Sequence, residues 1–135
     1  MKHLFIYLIL LSACKANEDK IKIDGLLTKY KQNQNIEFQI SNNELEKNYY
    51  YISLEYFENQ EWNELVNDIS QPKSNSSVIN VITPNQKIKH SISIKKVFYL
   101  KNFLNFKKYR FKIVYGKSED KLLKNYFSDS FEIVK

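Results

Sequence analysis

KYRFKIVYG, residues 108–116, alternates apolar and charged side chains along most of its length. One face of an extended chain with this sequence carries the apolar residues, Tyr109, Phe111, Ile113 and Tyr115. The opposite face carries three cations, Lys108, Arg110 and Lys112. This period of two predicts a β-strand with one buried face and one solvent-facing face. Gly116 ends the run, and we expect the backbone to turn there through a positive φ, which glycine adopts readily.

Three more segments repeat the alternation, with apolar phases at Ile36, Phe38 and Ile40, at Tyr50, Ile52, Leu54 and Tyr56, and at Ile88, His90, Ile92 and Ile94. Asn59-Gln60 is a turn sequence, so residues 50–66 predict a hairpin. Residues 78–82 predict a strand that Pro84 ends. The closing strand is predicted to present Phe127, Phe131 and Ile133 on one face. Residues 21–30 predict a weaker first strand interrupted at Gly25, and a helical turn or two is expected within residues 100–106 and 117–125.

About seven short strands, separated by turns at intervals of roughly 8–12 residues, predict an all-β fold, a single antiparallel sandwich over residues 21–135. The segment LNFKKYRF, residues 104–111, resembles the run into the penultimate strand of immunoglobulin-like and fibronectin-like domains. That resemblance implies an immunoglobulin-like architecture and assigns to Tyr109 the tyrosine that closes a corner. The chain departs from the immunoglobulin pattern because it lacks the disulfide pair and because Trp62 follows the third strand instead of lying within it.

The first fourteen residues, MKHLFIYLILLSAC, combine a short cationic start, an apolar run and small residues before a cysteine. This is the pattern of a secretory signal peptide, too short to span a bilayer as a helix. Its end, LSAC, resembles the lipobox of bacterial lipoproteins, and Cys14 is the only cysteine of the chain. The resemblance implies a cleaved signal peptide over residues 1–13, lipidation of Cys14 and a polar tether over residues 14–20. The other interpretation is a buried first strand that ends in an ordinary core cysteine.

The residue after the cysteine bears on the membrane to which the protein is delivered. It is Lys15, whereas an aspartate at this position retains enterobacterial lipoproteins in the inner membrane. The resemblance therefore implies an outer-membrane lipoprotein of the bacterial cell envelope. Lys15 followed by Glu18-Asp19 is also similar to the tags that direct some lipoproteins to the cell surface. Both a periplasmic and a surface-facing position remain open.

The charge and the inventory of reactive residues argue for binding instead of catalysis. A formal net charge of +6 fits anionic lipid, acidic glycan or simple solubility, and outside the cytoplasm we expect no nucleic-acid partner. His90 is the only histidine left after signal removal, and its phase is that of a core or rim residue. We therefore expect no enzyme activity, no metal site and no cofactor. An acid and base pair among Glu55, Glu58, Glu61 and Glu64 is the catalytic alternative, with solvated turn charges as the preferred interpretation.

Two candidate binding surfaces follow from the strand phases. The first is aromatic and consists of Tyr49, Tyr51, Phe57 and Trp62. Rings that project outward there would serve sugar stacking or a protein interface, unless a loop or the second sheet covers them. The second is basic and consists of Lys108, Arg110 and Lys112. Lys87 and Lys89 would extend the basic surface if their strand lay beside it, and a solvated face without a partner is the alternative.

The predicted function is a lipid-anchored binding module that contacts the membrane through Cys14 and a protein or glycan ligand through one of these surfaces. The alternative is an inhibitor or immunity lipoprotein that acts against a hydrolase or toxin. Such an inhibitor would present a protruding loop, for which residues 71–77 and 117–125 are the candidates.

Overall fold

A computed structural model describes residues 20–71, 76–97 and 108–135. The predicted signal peptide, Cys14, nearly all of the tether, residues 72–75 of one candidate loop and the helical turn expected at 100–106 lie outside these ranges. The described residues form ten strands, β1 (Ile21–Asp24), β2 (Lys29–Lys31), β3 (Asn35–Asn42), β4 (Asn48–Glu58), β5 (Glu61–Val66), β6 (Asn80–Ile82), β7 (Lys87–Ser93), β8 (Tyr109–Gly116), β9 (Lys124–Phe127) and β10 (Glu132–Val134). One helical turn, α1 (Ile94–Val97), follows β7.

Two antiparallel sheets account for eight of these strands. The smaller sheet has the order β1-β3-β7, and the larger has the order β5-β4-β8-β9, with the short β6 also paired to β4. This confirms the predicted all-β antiparallel sandwich. The short strands β2 and β10 form a separate pair that is parallel, which the prediction of a purely antiparallel fold missed. None of the helices in the described part of the chain has the length and apolar character needed to cross a bilayer.

The core lies between the inner faces of the two sheets. The predicted phases are correct for β3 and β8, since Ile36, Ile40, Phe111 and Ile113 are each fully buried. Phe38 of the smaller sheet and Phe111 of the larger one meet at 4.7 Å between ring centroids. Burial of an aromatic or aliphatic side chain of this size contributes about 1.5–3 kcal/mol relative to exposure. The alternation read from the sequence is therefore the pattern that holds the two sheets together.

Turns agree with the sequence in two places and differ in two others. Asn59 and Gln60 both have positive φ, which makes the tight turn that a two-residue hairpin requires. Gly25, with φ of 87°, interrupts the first strand as predicted. Gly116 has no positive φ, so the expectation there was wrong. Residues 117–123 form turns and bends instead of a helix, and β9 begins at Lys124.

The closing segment of the chain packs against Tyr109. Phe131 bridges to Tyr109 across the sheet, and the two rings stack at 5.9 Å. Tyr109 is fully buried at the start of β8. Phe127 does not share the face of Phe131, because β9 ends at Phe127 and Ser128 turns inward to accept the Phe111 amide hydrogen bond. The strand predicted over residues 78–82 begins two residues later, at Asn80.

Candidate binding face on the larger sheet

The two surfaces predicted from the sequence lie on one face of one sheet. β4 and β8 are direct neighbours, with Glu55 opposite Arg110 and Tyr51 opposite Val114. The hairpin register places Trp62 opposite Phe57, and β9 places Phe127 opposite Lys112. We call this side of the sheet the outer face, comprising Tyr49, Tyr51, Ser53, Glu55, Phe57, Trp62, Glu64, Arg110, Lys112, Val114 and Phe127. Lys108 is exposed just before β8, and its carbonyl accepts the Phe57 amide.

Arg110 organises one half of the outer face. Its Nε donates to Oε2 of Glu55 at 2.7 Å. Its guanidinium carbon lies 4.3 Å from the ring centroid of Trp62 and 4.1 Å from that of Phe127. Each such cation–π contact is worth about 0.5–1 kcal/mol at an exposed site and more where water is excluded. The Phe57 ring packs against the Trp62 ring, with 5.2 Å between the ring centroids. Three aromatic rings therefore form a compact cluster with one fixed cation.

The basic residues of the outer face are neutralised within it. Glu55 is buried, accepts from Arg110 and lies 3.5 Å from the Lys112 ammonium. Glu64 contacts the same ammonium at 3.5 Å. The interpretation of Glu55 as a solvated turn charge is therefore wrong, since its carboxylate anchors two cations inside the sheet. Arg110 and Lys112 are accordingly ordered parts of a mixed surface, and not a free basic patch.

Lys87 and Lys89 do not extend this surface. They lie on β7, which belongs to the smaller sheet. Their strand pairs with β3 along its whole length, so the two sheets of the sandwich separate these lysines from Arg110. Their strand does not lie beside β8, so the two lysines do not enlarge the basic surface.

The other half of the outer face is apolar and less charged. Tyr49 and Tyr51 are half-buried on β4, and the Lys47 ammonium lies 5.1 Å from the Tyr49 ring centroid. Val81 of β6 is opposite Tyr49 and leaves 45% of its surface exposed. Sequence reasoning missed Val81 because it lies on a short strand whose pairing with β4 has no local signature. It missed Phe127 because the phase of the closing strand was carried past the bend at Ser128.

His90 lies inside the sandwich and not on the outer face. Its ring stacks on Phe38 at 5.3 Å, and Nε2 is 3.3 Å from the Tyr50 hydroxyl. Burial lowers the pKa of His90 and raises the pKa of Tyr50 to about 12. These contacts agree with the prediction of a core or rim histidine.

A cavity of about 330 Å³ lies beside His90 and includes Asp68 and Ser70 among its lining residues. The Asp68 carboxylate accepts from the Ser70 amide, the Ser70 hydroxyl and the Val78 amide. Its hydrogen bonds therefore shape its own loop. Within residues 20–71, 76–97 and 108–135, no group of three or more His, Cys, Asp or Glu side chains is placed to hold a metal ion.

No protein-family model and no curated protein sequence matches this chain. Among solved structures, it is similar to β-glucosidase from Listeria innocua in complex with glucose, at 10% identity and a TM-score of 0.50. The same enzyme in complex with gluconolactone is similar at 10% identity and a TM-score of 0.49. Each match covers 84% of this chain and only 15% of the enzyme. At this identity the likeness shows the β-sandwich fold alone.

Proposed function

We propose that this chain is a non-catalytic binding module of the bacterial cell envelope, anchored by lipid at Cys14, which engages a protein partner through the outer face. Its place is the outer membrane, on the periplasmic or the surface side. The observation that supports the binding role most is the cluster of Phe57, Trp62, Arg110 and Phe127, in which the two phenylalanines are exposed and the tryptophan and the arginine are half-buried.

The composition of this cluster is that of an interface centre. Trp, Tyr and Arg are the residue types enriched among those that dominate the free energy of protein association. Phe57 and Phe127 leave 37% and 43% of their surfaces exposed, although large apolar side chains are usually covered. Arg110 is held by Glu55 before any partner arrives. A side chain that is already ordered loses less entropy on binding, so the cluster is prepared for a rigid partner.

A protein fits this face better than a glycan does. Sugar stacking needs a free aromatic ring face. The Arg110 guanidinium covers one face of the Trp62 ring and the Lys47 ammonium one face of the Tyr49 ring, so each ring has at most one face left for a sugar. Catalysis by the acidic residues is disfavoured for a related reason, since Glu55 is engaged with Arg110 and Lys112.

Inhibition of a hydrolase or toxin is the alternative proposal. Of its two candidate loops, only the one at residues 117–125 is described in full. That loop presents Leu123 with 83% of its surface exposed. A partner held by that loop would contact position 123, whereas a partner held by the outer face would contact position 51. These two positions therefore report on different proposals.

Photo-crosslinking in the native bacterium tests the binding role. Benzoylphenylalanine replaces Tyr51, Leu123 or, as a control on the smaller sheet, Lys89, which is exposed. We expect a protease-sensitive adduct at position 51 that the additional change Trp62→Ala reduces by about tenfold or more, the effect of losing roughly 1.4 kcal/mol or more from an interface centre. An adduct confined to position 123 would favour the inhibitor proposal. Equal adducts at 51 and 89, or an adduct unaffected by Trp62→Ala, would contradict the outer face as the binding surface.

Lipid anchoring is tested separately by intact mass and detergent partitioning of the wild type and Cys14→Ser. We expect the wild type to lose residues 1–13, gain the mass of its acyl chains and enter the detergent phase, because two or more chains give stable membrane attachment. The serine variant has no thiol to modify and should remain unacylated. A soluble wild type that keeps its first thirteen residues would contradict the anchor and the envelope location together.

A further inference from the structure

One end of the sandwich collects several loops and the start of the described chain. β1 begins there, with Ile21 opposite Asn42 at the end of β3. β4 begins there and β8 ends there, since Tyr49 is opposite Gly116. The loop at 83–86 joins them through the Asn85 amide, which donates to the Asn42 carbonyl. We call this the tether end, made of Lys20 and the loops 43–47, 83–86 and 117–123.

Glu44 ties the tether end into one unit. Its carboxylate accepts from Lys117 and from Asn48 Nδ2 at 2.8 Å, and it lies 3.4 Å from the Lys20 ammonium. Burial alone would raise the pKa of Glu44, but the hydrogen bonds from Lys117 and Asn48 together lower it to about 2. The carboxylate is therefore ionised at any physiological pH. The loops 43–47 and 117–123 are held to each other and to the residue that leads into β1.

Two leucines project from this unit. Leu45 leaves 92% of its surface exposed and Leu123 leaves 83%, the two largest fractions among the large apolar residues of the described ranges. Each stands on one of the two loops that Glu44 joins. Lys47 and Lys121 are exposed on the same loops, where an ammonium can reach lipid phosphate. Two exposed leucines flanked by lysines are the arrangement of an interfacial membrane contact.

We infer that the tether end docks on the lipid bilayer, with Leu45 and Leu123 seated in the headgroup layer. This inference rests on the proposed lipid anchor. Cys14 precedes Lys20 by six residues, and six extended residues span at most about 20 Å. An anchored Cys14 keeps these loops near the bilayer at a high effective concentration, so even weak insertion is populated.

The contact is mainly apolar. Glu46, Glu119 and Asp120 lie on the same loops as Lys47 and Lys121, so the charges there nearly balance. Binding should therefore differ little between neutral and anionic vesicles. Docking through this end directs the strands away from the bilayer and leaves the outer face open at the side of the domain, where a partner can reach it.

The experiment uses the fact that a lipidated Cys14 offers no thiol. The mature protein carrying Leu45→Cys, Leu123→Cys or the control Leu27→Cys is labelled with a polarity-sensitive fluorophore and reconstituted in phosphatidylcholine vesicles that contain a nitroxide lipid. Leu27 is also an exposed leucine, at 58%. It precedes Thr28, whose carbonyl accepts a hydrogen bond from the Glu132 amide. The residue before Glu132 is Phe131, which bridges to Tyr109 at the start of β8. That position is remote from the tether end.

We expect nitroxide quenching at positions 45 and 123 to exceed that at position 27 by at least about threefold, since interfacial side chains reach about 5–10 Å into the headgroup region. Equal quenching at the three positions, with one label per chain, would overturn the docking and leave the anchor intact. A blue shift without quenching would mean contact with another protein copy, which also overturns it. Two labels per chain would show a free Cys14 thiol, so the proposed anchor itself would have failed.

Discussion

Replacement of Gly116 by alanine is expected to destabilise the domain strongly. A Cβ built at this position lies 2.0 Å from the carbonyl oxygen of Lys121 and 3.0 Å from the Cα of Leu122. Both are backbone atoms, so no side-chain rotation relieves the clash and the loop 117–123 must move. Overpacking of this kind costs about 1–3 kcal/mol or more, and a loss of about 3 kcal/mol lowers the Tm of a domain of this size by roughly 12 °C. Thermal unfolding followed by circular dichroism measures the shift.

Gly25→Ala is the matched control. Gly25 has φ of 87°, but the nearest atom to its built Cβ is the Phe38 Cα at 3.9 Å, so space is open. The alanine there costs only the strain of a left-handed conformation, about 1–2 kcal/mol. Gly116→Ala should therefore be the more destabilising change. The reverse order, or equal shifts in Tm, would contradict the assignment of Gly116 to close backbone approach.

The two glycines show what kind of information the sequence holds. A positive φ at Gly25 was predictable, because an Asp-Gly step that interrupts an alternating pattern is a local signal. The role of Gly116 depends on the carbonyl of Lys121, which folds back over it. Nothing in residues 108–116 shows that approach. Local patterns thus predicted the strands and their buried faces. The need for glycine at the end of β8 could not be predicted in this way, because it depends on the loop packed against that residue.

The prediction of the outer face was limited in the same way, because local patterns do not show which strands pair. The phases of β4 and β8 were each predicted correctly, and so were the outward positions of Tyr51 and Arg110. Alternation within a strand does not say which strand lies next to it, and Glu55 and Arg110 are 55 residues apart in sequence. Two surfaces were therefore predicted where the pairing of β4 with β8 makes one. The same pairing supplies Glu55 as the partner that neutralises Arg110.

Removal of Arg110 is expected to be the most damaging change on the outer face. Among the residues that the structure describes, Arg110→Met leaves the Glu55 carboxylate, whose side chain is 9% exposed, with the longer contact to Lys112 at 3.5 Å. Loss of one partner from a buried ion pair costs about 3–5 kcal/mol where the remaining charge is not compensated. Because Lys112 still compensates part of the Glu55 charge, we expect a loss near the lower end of that range. Urea unfolding should show this loss as a lower midpoint with an unchanged m-value. Lys29→Met, which removes an exposed pair with Glu132 at 3.8 Å, should change the stability by less than about 1 kcal/mol.

The double variant Glu55→Leu with Arg110→Met separates the two roles assigned to Arg110. With both charges removed, no buried carboxylate is left without its partner, so most of the stability should return. The crosslink from position 51 should stay weak, because Trp62 and Phe127 have lost the cation that orders them. If stability and crosslinking return together, Arg110 acts only as the counter-ion of Glu55. If stability alone returns, Arg110 also supports the partner interface, by ordering Trp62 and Phe127.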